Sequence, residues 1–339
     1  MKIHYYTLCW GKDYLNLLFN FSLKSFFSSK FKISNNSHIV FIYTDNFHVI
    51  KKNFKKNINC LRKKNIEIKL INYKKKINNF KNFKRNSVWR FLGNYQKKAL
   101  IHAKENSAKC CFIYPDEIHS QNLSNKILEK IKHYDYVFTP SNEIFLKDFE
   151  ITSINKLTEK KLLRMKYKNL EKYNKKDFFN NQFSSTHQPR YYFKTQNAIF
   201  YKSLHLSPII MNPKSIKNIK NIYTIDSSLN YEGRKGYILN PDEGLLLSLE
   251  KKLESHRDYK YSKNLFFLFL NRIISQFIFN YKNINGIYPN NYLKTYSIRF
   301  NKKKIFNLKK IIFFDIFSSI LFFISFFLKF VFLVKKKIY

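Results

Sequence analysis

The residues of this chain best suited to chemistry gather in the stretch 110–121, CCFIYPDEIHSQ, where an apolar run breaks at Pro115 and presents Asp116 and Glu117. Hard carboxylate oxygens in such a place suit a metal-bound diphosphate. Residues 110–114 have the length and type of an interior strand, and a proline removes a ladder donor, so pairing should stop at Pro115. Asp116 then stands at the carboxyl end of a strand, where open α/β sheets collect their ligands. A plainer reading makes Asp116 the N-cap of the next helix.

Composition bounds what surrounds this stretch. The 339 residues suffice for one large α/β domain with additions, or for two smaller ones. With 63 Lys+Arg against 22 Asp+Glu the formal net charge is +41, which by itself points to an anionic partner. Yet Lys, Asn, Ile, Phe and Tyr are all abundant while Gly is 6 and Pro is 7, the pattern left by coding sequence rich in A and T. The lysines also fall in short runs, such as 74–76 and 302–304, and not in one stripe with interleaved aromatic residues. Both facts weigh against a dedicated nucleic-acid face. Cys9, Cys60, Cys110 and Cys111 form no Cys-x-x-Cys pair, and 110 and 111 would point to opposite faces of a strand, so they read as thiols in a reducing compartment. The opening MKIHYYTLCWGKD lacks the pattern of a signal peptide, and a cytoplasmic body is expected.

The elements that must position the acidic stretch alternate. Residues 2–9 read as a strand, Asp13 as the cap of a helix to about Ser29, and 38–44 as a second strand ending at Asp45. Helical spacing of Phe47, Ile50, Phe54, Ile58 and Leu61 predicts a helix over 47–64, followed by a strand over 67–73 and a helix over 89–106 that leads into the central strand. This order predicts a mostly parallel sheet flanked by helices. Further on, an amphipathic helix over 123–131, a strand over 134–139, a polar helical stretch within 149–183, and strands at 191–193, 198–201, 221–226 and 235–239 are expected. Asn240-Pro241-Asp242-Glu243 reads as the start of a helix carrying Leu245–Leu249.

Four blocks in order, TLCWGKDYLNLLFNFSLKSFFSS, YPDEIHS, HQPRYYFKTQNAIFYKSLHLSP and TIDSSL, resemble a group of bacterial glycosyltransferases of the GT-A, nucleotide-diphospho-sugar transferase fold. The resemblance spans roughly residues 1–254 and implies a nucleotide-sugar-binding catalytic domain there. In that fold an Asp-x-Asp loop after a central strand usually holds a divalent ion bridging the donor phosphates. Asp116 matches its first Asp, Glu117 stands at the spacer, and His119 lies one place beyond the second Asp, so the loop departs from the strict pattern. The resemblance implies Mn²⁺ or Mg²⁺ at Asp116 and Glu117, with His205 as a late ligand, although a histidine between two leucines also reads as a half-buried strand residue. It implies Asp226 as general base or acceptor-hydroxyl ligand, where a turn aspartate bonding its own backbone is the alternative. It further implies that Thr7 and Asp45, read as strand ends, cradle base and ribose, with Lys97 and Lys98 near the diphosphate. No Gly-x-Gly-x-x-Gly or Walker pattern is present. A basic nucleic-acid-binding or structural protein, and a nucleotidyltransferase on a similar sheet, stand as second and third readings.

After a basic connector, 255–310, residues 311–334 read IIFFDIFSSILFFISFFLKFVFLV, apolar around the helical circumference. As a helix this would be about 36 Å long, enough for a hydrocarbon core of about 30 Å. Asp315 and Lys329 lie near its ends, and lysines flank both sides, so charge does not choose an orientation and an in-plane or re-entrant anchor stays open. The expectation is a catalytic domain held at the cytoplasmic face of a bacterial inner membrane, acting on a lipid-linked or envelope glycan acceptor.

Overall fold

Alternating apolar runs and amphipathic helices build the first half of the chain in order: β1 Lys2–Cys9, α1 Gly11–Leu17, α2 Leu23–Phe26, β2 Ser37–Thr44, α3 Phe47–Asn53, α4 Lys55–Arg62, β3 Ile66–Asn72, α5 Arg85–Glu105 and β4 Lys109–Phe112. They are followed by β5 Glu117–His119, α6 Leu123–Lys130, β6 Tyr136–Phe138, β7 Ser141–Phe145, α7 Glu159–Tyr173, β8 Arg190–Lys194, β9 Ala198–Ser203, β10 Pro208–Met211, β11 Lys235–Tyr237, β12 Leu246–Glu250 and β13 Tyr296–Arg299. This computed structural model describes residues 1–28, 30–32, 36–74, 76, 85–139, 141–146, 149, 157–173, 190–194, 198–203, 208–219, 225, 232–238, 242–250 and 296–299. The chain forms two units, one of Met1–Lys166 with Ser207–Lys251, the other of Tyr167–Leu206 with Lys252–Tyr339.

The first unit holds a seven-stranded sheet in the order β3-β2-β1-β4-β10-β6-β11. β1 pairs in parallel with β2 on one side and β4 on the other, and β2 pairs in parallel with β3. β10 runs antiparallel to both β4 and β6, while β11 is parallel to β6. The expected mostly parallel α/β sheet is therefore present, with one reversed strand inside it. β1 and β4 are buried along nearly their whole length, because helices cover both faces, and this is why their sequences run KIHYYTLC and KCCF without polar alternation. Ile3, Tyr5, Val40, Ile42, Ile66 and Ile68 of the sheet pack with Leu15, Leu18, Phe19, Ile50, Ile58 and Leu61 of the helices in one core.

A second, three-stranded sheet in the order β5-β12-β7 sits in the same unit, with β12 antiparallel to β5 and parallel to β7. The other unit holds β13-β9-β8, antiparallel throughout, so the hairpin expected near residues 191–201 is present.

Several expectations need correction. Helix α1 begins at Gly11 with Trp10 at its N-cap, so Asp13 lies in the first turn, where its charge favours the helix dipole without capping it. The helix expected over 47–64 is two helices broken at Phe54, whose backbone (φ −116°, ψ 15°) leaves the helical region while its ring stacks on Phe19 at 4.5 Å. The leucines after Asn240-Pro241-Asp242-Glu243 form strand β12 instead of a helix, because β5 and β7 offer backbone partners on both sides and that pairing overrides the helical preference of leucine. Strands β5, β7 and β10 were not foreseen; each is five residues or fewer, and β10 opens on a proline. Most of the strand expected at 221–226 lies outside the described residues, as does the apolar segment 311–334. Among the described residues no helix is long and apolar enough to cross a membrane.

The sheet also encloses histidine. His38 is buried, its Nδ1 is 2.9 Å from the Tyr5 hydroxyl, and burial with the nearby N-terminal ammonium lowers its pKa from 6.5 to about 4. The unfolded chain therefore takes up this proton at higher pH than the folded chain, and His38 costs stability as pH falls from about 6.5 to about 4. His38→Phe keeps a ring in place but leaves the Tyr5 O–H without this partner, a loss of about 1 kcal/mol near neutral pH. In urea titrations at pH 7 and pH 4.5, the gap between the native chain and His38→Phe is expected to narrow or invert at the lower pH; a gap that widens would contradict the assignment.

Candidate functional site

The order of strands fixes where a ligand-binding crevice can form. The chain adds β2 and β3 on one side of β1 and then, through α5, places β4 on the other, so the strand order reverses between β1 and β4. In open α/β sheets the crevice beyond the carboxyl ends at such a reversal is where ligands bind. Here those ends are Cys9–Gly11 and residues 113–117.

At the first, β1 ends at Cys9, the bound expected for the strand over 2–9, so Thr7, read as a strand end, lies two residues inside it. Thr7 is buried inside the strand, with its hydroxyl 3.8 Å from the Cys9 thiol. The strand end is formed by Cys9 and Trp10, and Gly11 follows at φ +76°, a conformation that side chains rarely adopt. At the neighbouring end of β2, Asp45 Oδ1 accepts from the Gly11 backbone N–H at 2.9 Å and from Asn46 Nδ2 at 2.6 Å. Asp45 thus ties the β1 loop to the β2 loop.

At the second, the chain turns at Pro115 and Asp116 and enters β5 at Glu117. Asp116 is no helix cap, since α6 starts only at Leu123 with Asn122 before it. The turn is gripped from two directions. On one side a π-helical turn, Leu18–Ser22, between α1 and α2 presents Ser22, whose hydroxyl donates to the Tyr114 carbonyl at 2.8 Å. Ser25 Oγ accepts from the His119 N–H at 3.1 Å, and Ser124 donates back to the Phe26 carbonyl at 2.6 Å. On the other side β12 holds the Asp116 carbonyl through the Leu249 N–H at 2.7 Å and the Ser120 N–H through the Leu245 carbonyl at 2.9 Å. Irregular π turns of this kind recur where a backbone must be aimed at a site.

The electrostatics of the turn are anionic. Burial raises the pKa of Asp116, against a hydrogen bond from its own backbone. Burial, and then the Asp116 charge, push Glu117 well up, while a Tyr114 N–H at 3.4 Å opposes this. Burial raises the Cys9 thiol, and the charges of Asp116 and Asp45 add to the rise. Asp116 and Asp45 therefore act on the same point at the end of β1, the one half-buried at the end of β4 and the other half-buried at the end of β2. His119 is fully buried against the edge of Phe26 at 4.9 Å, 4.0 Å from Glu117 Oε2, and burial lowers its pKa to about 3. Burial therefore favours the uncharged form of both groups across this contact.

Among the described residues no group of three or more His, Cys, Asp or Glu side chains could hold a metal. A Mg²⁺-type site asks less: one or two carboxylates, with substrate phosphates and water completing the shell. Asp116 and Glu117 meet that requirement in number, at a place where a cation would relieve burial and repulsion together. Lys97 is half-buried and Lys98 exposed on α5. His205 and Asp226 lie outside the described residues. Sequence reasoning missed Ser22, Ser25 and Gln96, a fully buried glutamine on α5 that bonds Tyr114. A buried-side glutamine in a run of apolar helix positions was the one signal for it. Scans against protein-family models, curated proteins and solved structures each found no match to this chain.

The grip of β12 depends on Gly244, whose missing side chain lets the strand approach α6: a Cβ there would lie 2.7 Å from Leu123 Cδ1 and 2.9 Å from its Cα. The second of these is backbone and cannot swing aside. Gly244→Ala is expected to destabilise the first unit by about 1–3 kcal/mol through overpacking. Urea denaturation measures it, and an unchanged midpoint would show that the approach is not a constraint.

Proposed function

We propose that this chain is a glycosyltransferase that moves a sugar from a nucleotide-diphosphate donor to a lipid-linked or envelope glycan acceptor, on a GT-A-like sheet. The observation that carries the reading is the position of Asp116, in a doubly gripped turn beyond β4, at the reversal of strand order. In this reading the acceptor hydroxyl attacks the anomeric carbon, the bond from that carbon to the diphosphate oxygen breaks, and the nucleoside diphosphate leaves with the bonding electrons. A bound Mg²⁺ or Mn²⁺ would supply positive charge to the leaving diphosphate. Asp116, with Glu117 behind it, would hold that ion. Asp45, bonded to Gly11, shapes the edge that takes base and ribose, with Thr7 buried beneath it and Lys97 on the helix that feeds β4. Asp226 would take the acceptor proton or bind the hydroxyl.

Asp116→Asn keeps the shape of the side chain but removes the charge that holds a divalent ion. Turnover of the donor is expected to fall roughly 100-fold, about 2.7 kcal/mol, while thermal stability without ligand stays within a few degrees. A panel of nucleoside diphosphates with and without Mn²⁺ in thermal-shift assays identifies the donor nucleotide first, since a ligand of the folded state raises its apparent stability. Turnover unchanged in Asp116→Asn would remove Asp116 from the mechanism.

The membrane part of the reading rests on residues 311–334 alone. Cells expressing the full chain and a version ending at Asn301 are to be fractionated: the full chain should sediment with membranes and resist high salt, and the shorter one should shift to the soluble fraction. Release of the full chain by salt alone would make the attachment electrostatic.

A further inference from the structure

Helix α5 carries Tyr95, Gln96, Ala99, Leu100 and Ala103 on its buried side, and Gln96 is the polar residue among them, 2% exposed. A glutamine in this place loses side-chain freedom and hydration that a leucine or methionine would not. Its two ends are both used. Nε2 donates to the Tyr114 hydroxyl at 3.0 Å, and Oε1 accepts from the backbone N–H of Ile225 at 3.1 Å, a contact that spans 129 residues of sequence. The orientation of the amide follows from chemistry: a backbone N–H only donates, so the oxygen must face Ile225 and the nitrogen must face Tyr114.

The two partners adjoin residues to which the proposed function gives different roles. Tyr114 lies two residues before Asp116, and its carbonyl is the one gripped by Ser22. Ile225, itself buried, is the residue that precedes Asp226 in the chain. We infer that Gln96 is a positioning residue, a buried amide that sets the spacing between the acidic turn and the segment entering at Ile225, and so aligns the donor side of the site with the acceptor side. The link itself is independent of the transferase reading; the alignment of donor and acceptor rests on it.

A clamp of this kind predicts a particular split. Each part of the site still exists when the clamp is cut, so binding of the donor nucleotide survives, whereas the attack geometry that depends on both parts is lost. Gln96→Met is the variant to use, because methionine keeps the volume and the helical preference and removes both bonds. Tyr114→Phe cuts one bond only. Gln96→Glu keeps both, with the Tyr114 O–H now donating, and serves as the rescue.

The first measurement is backbone amide exchange on the full chain, read in peptides containing Ile225. Gln96→Met is expected to speed exchange there about tenfold and to leave peptides of β1 and β2 unchanged, with Gln96→Glu near the native rate. Unchanged exchange at Ile225 overturns the clamp, as does a uniform increase along the chain, which would mean general loosening. The second measurement takes whichever of ADP, CDP, GDP, UDP or dTDP stabilises the native chain, and the matching sugar donor. Gln96→Met should lower kcat about tenfold with nucleotide affinity within about twofold, and Gln96→Glu should recover most of the loss. A parallel loss of affinity and kcat would make Gln96 a support for the acidic turn and overturn its positioning role. Should none of the five bind the native chain, the transferase reading fails, and amide exchange still decides the clamp.

Discussion

Burying a carboxylate beside another carboxylate is the constraint on which the acidic turn depends. Glu117 is 8% exposed and Asp116 adjoins it, and among the described residues no basic side chain lowers the pKa of either; burial and the Asp116 charge raise Glu117, and burial raises Asp116. Such a turn would relax outward into water if its backbone were free. It is held by two serines from the helical side and by two backbone bonds from β12 and the residue before it, all at 3.1 Å or less. The small second sheet exists in the first unit to provide that second hand. Its middle strand, β12, pairs with the very residues that follow Asp116, so the position of the carboxylate is set by main-chain register and not by a flexible loop.

What was legible in the sequence follows the same division. Strands β1 to β4 and the helices between them are local features: an apolar run or a helical spacing declares each, and a mostly parallel sheet then follows from alternation. The place of Asp116 beyond a central strand was legible for that reason. Its supports were not, because Ser22 and Ser25 act over separations of 92 and 94 residues, and nothing in the pattern near either of them names a partner. The leucines of β12 show the failure most clearly. A run of leucine after Pro-Asp-Glu satisfies a helix start by every local rule, and only two waiting strands, one of them three residues long, turn it into a strand. β10 was missed on the same ground: PIIM is too short to declare itself, and it becomes a strand because β4 and β6 leave a gap that an antiparallel segment fills.

The pair of Glu117 and His119 bears on how much charge the turn presents. Burial raises the carboxyl and lowers the imidazole, so it works against a charge on either, and Asp116 is the carboxylate of the turn that stays half-buried at the crevice. The departure from an Asp-x-Asp pattern then has a physical meaning. His119, beside the place of a second Asp, is packed in the core against Phe26, and the crevice is left with fewer anionic groups than the strict pattern would give.

That reduction matters because of the sign of everything else. The chain carries +41 overall, so a bare nucleoside diphosphate would find lysine on most surfaces, with nothing to recommend one place over another. At the ends of β1, β2 and β4 the described residues include two half-buried carboxyl groups, Asp45 and Asp116. A diphosphate arriving there alone meets Asp116 and Asp45 as repulsion; one arriving with a divalent cation meets them as ligands or counter-charge. On the reading proposed above, the same two carboxylates would disfavour a free diphosphate and favour a cation-bound one, which is the discrimination a donor site needs in a chain of net charge +41.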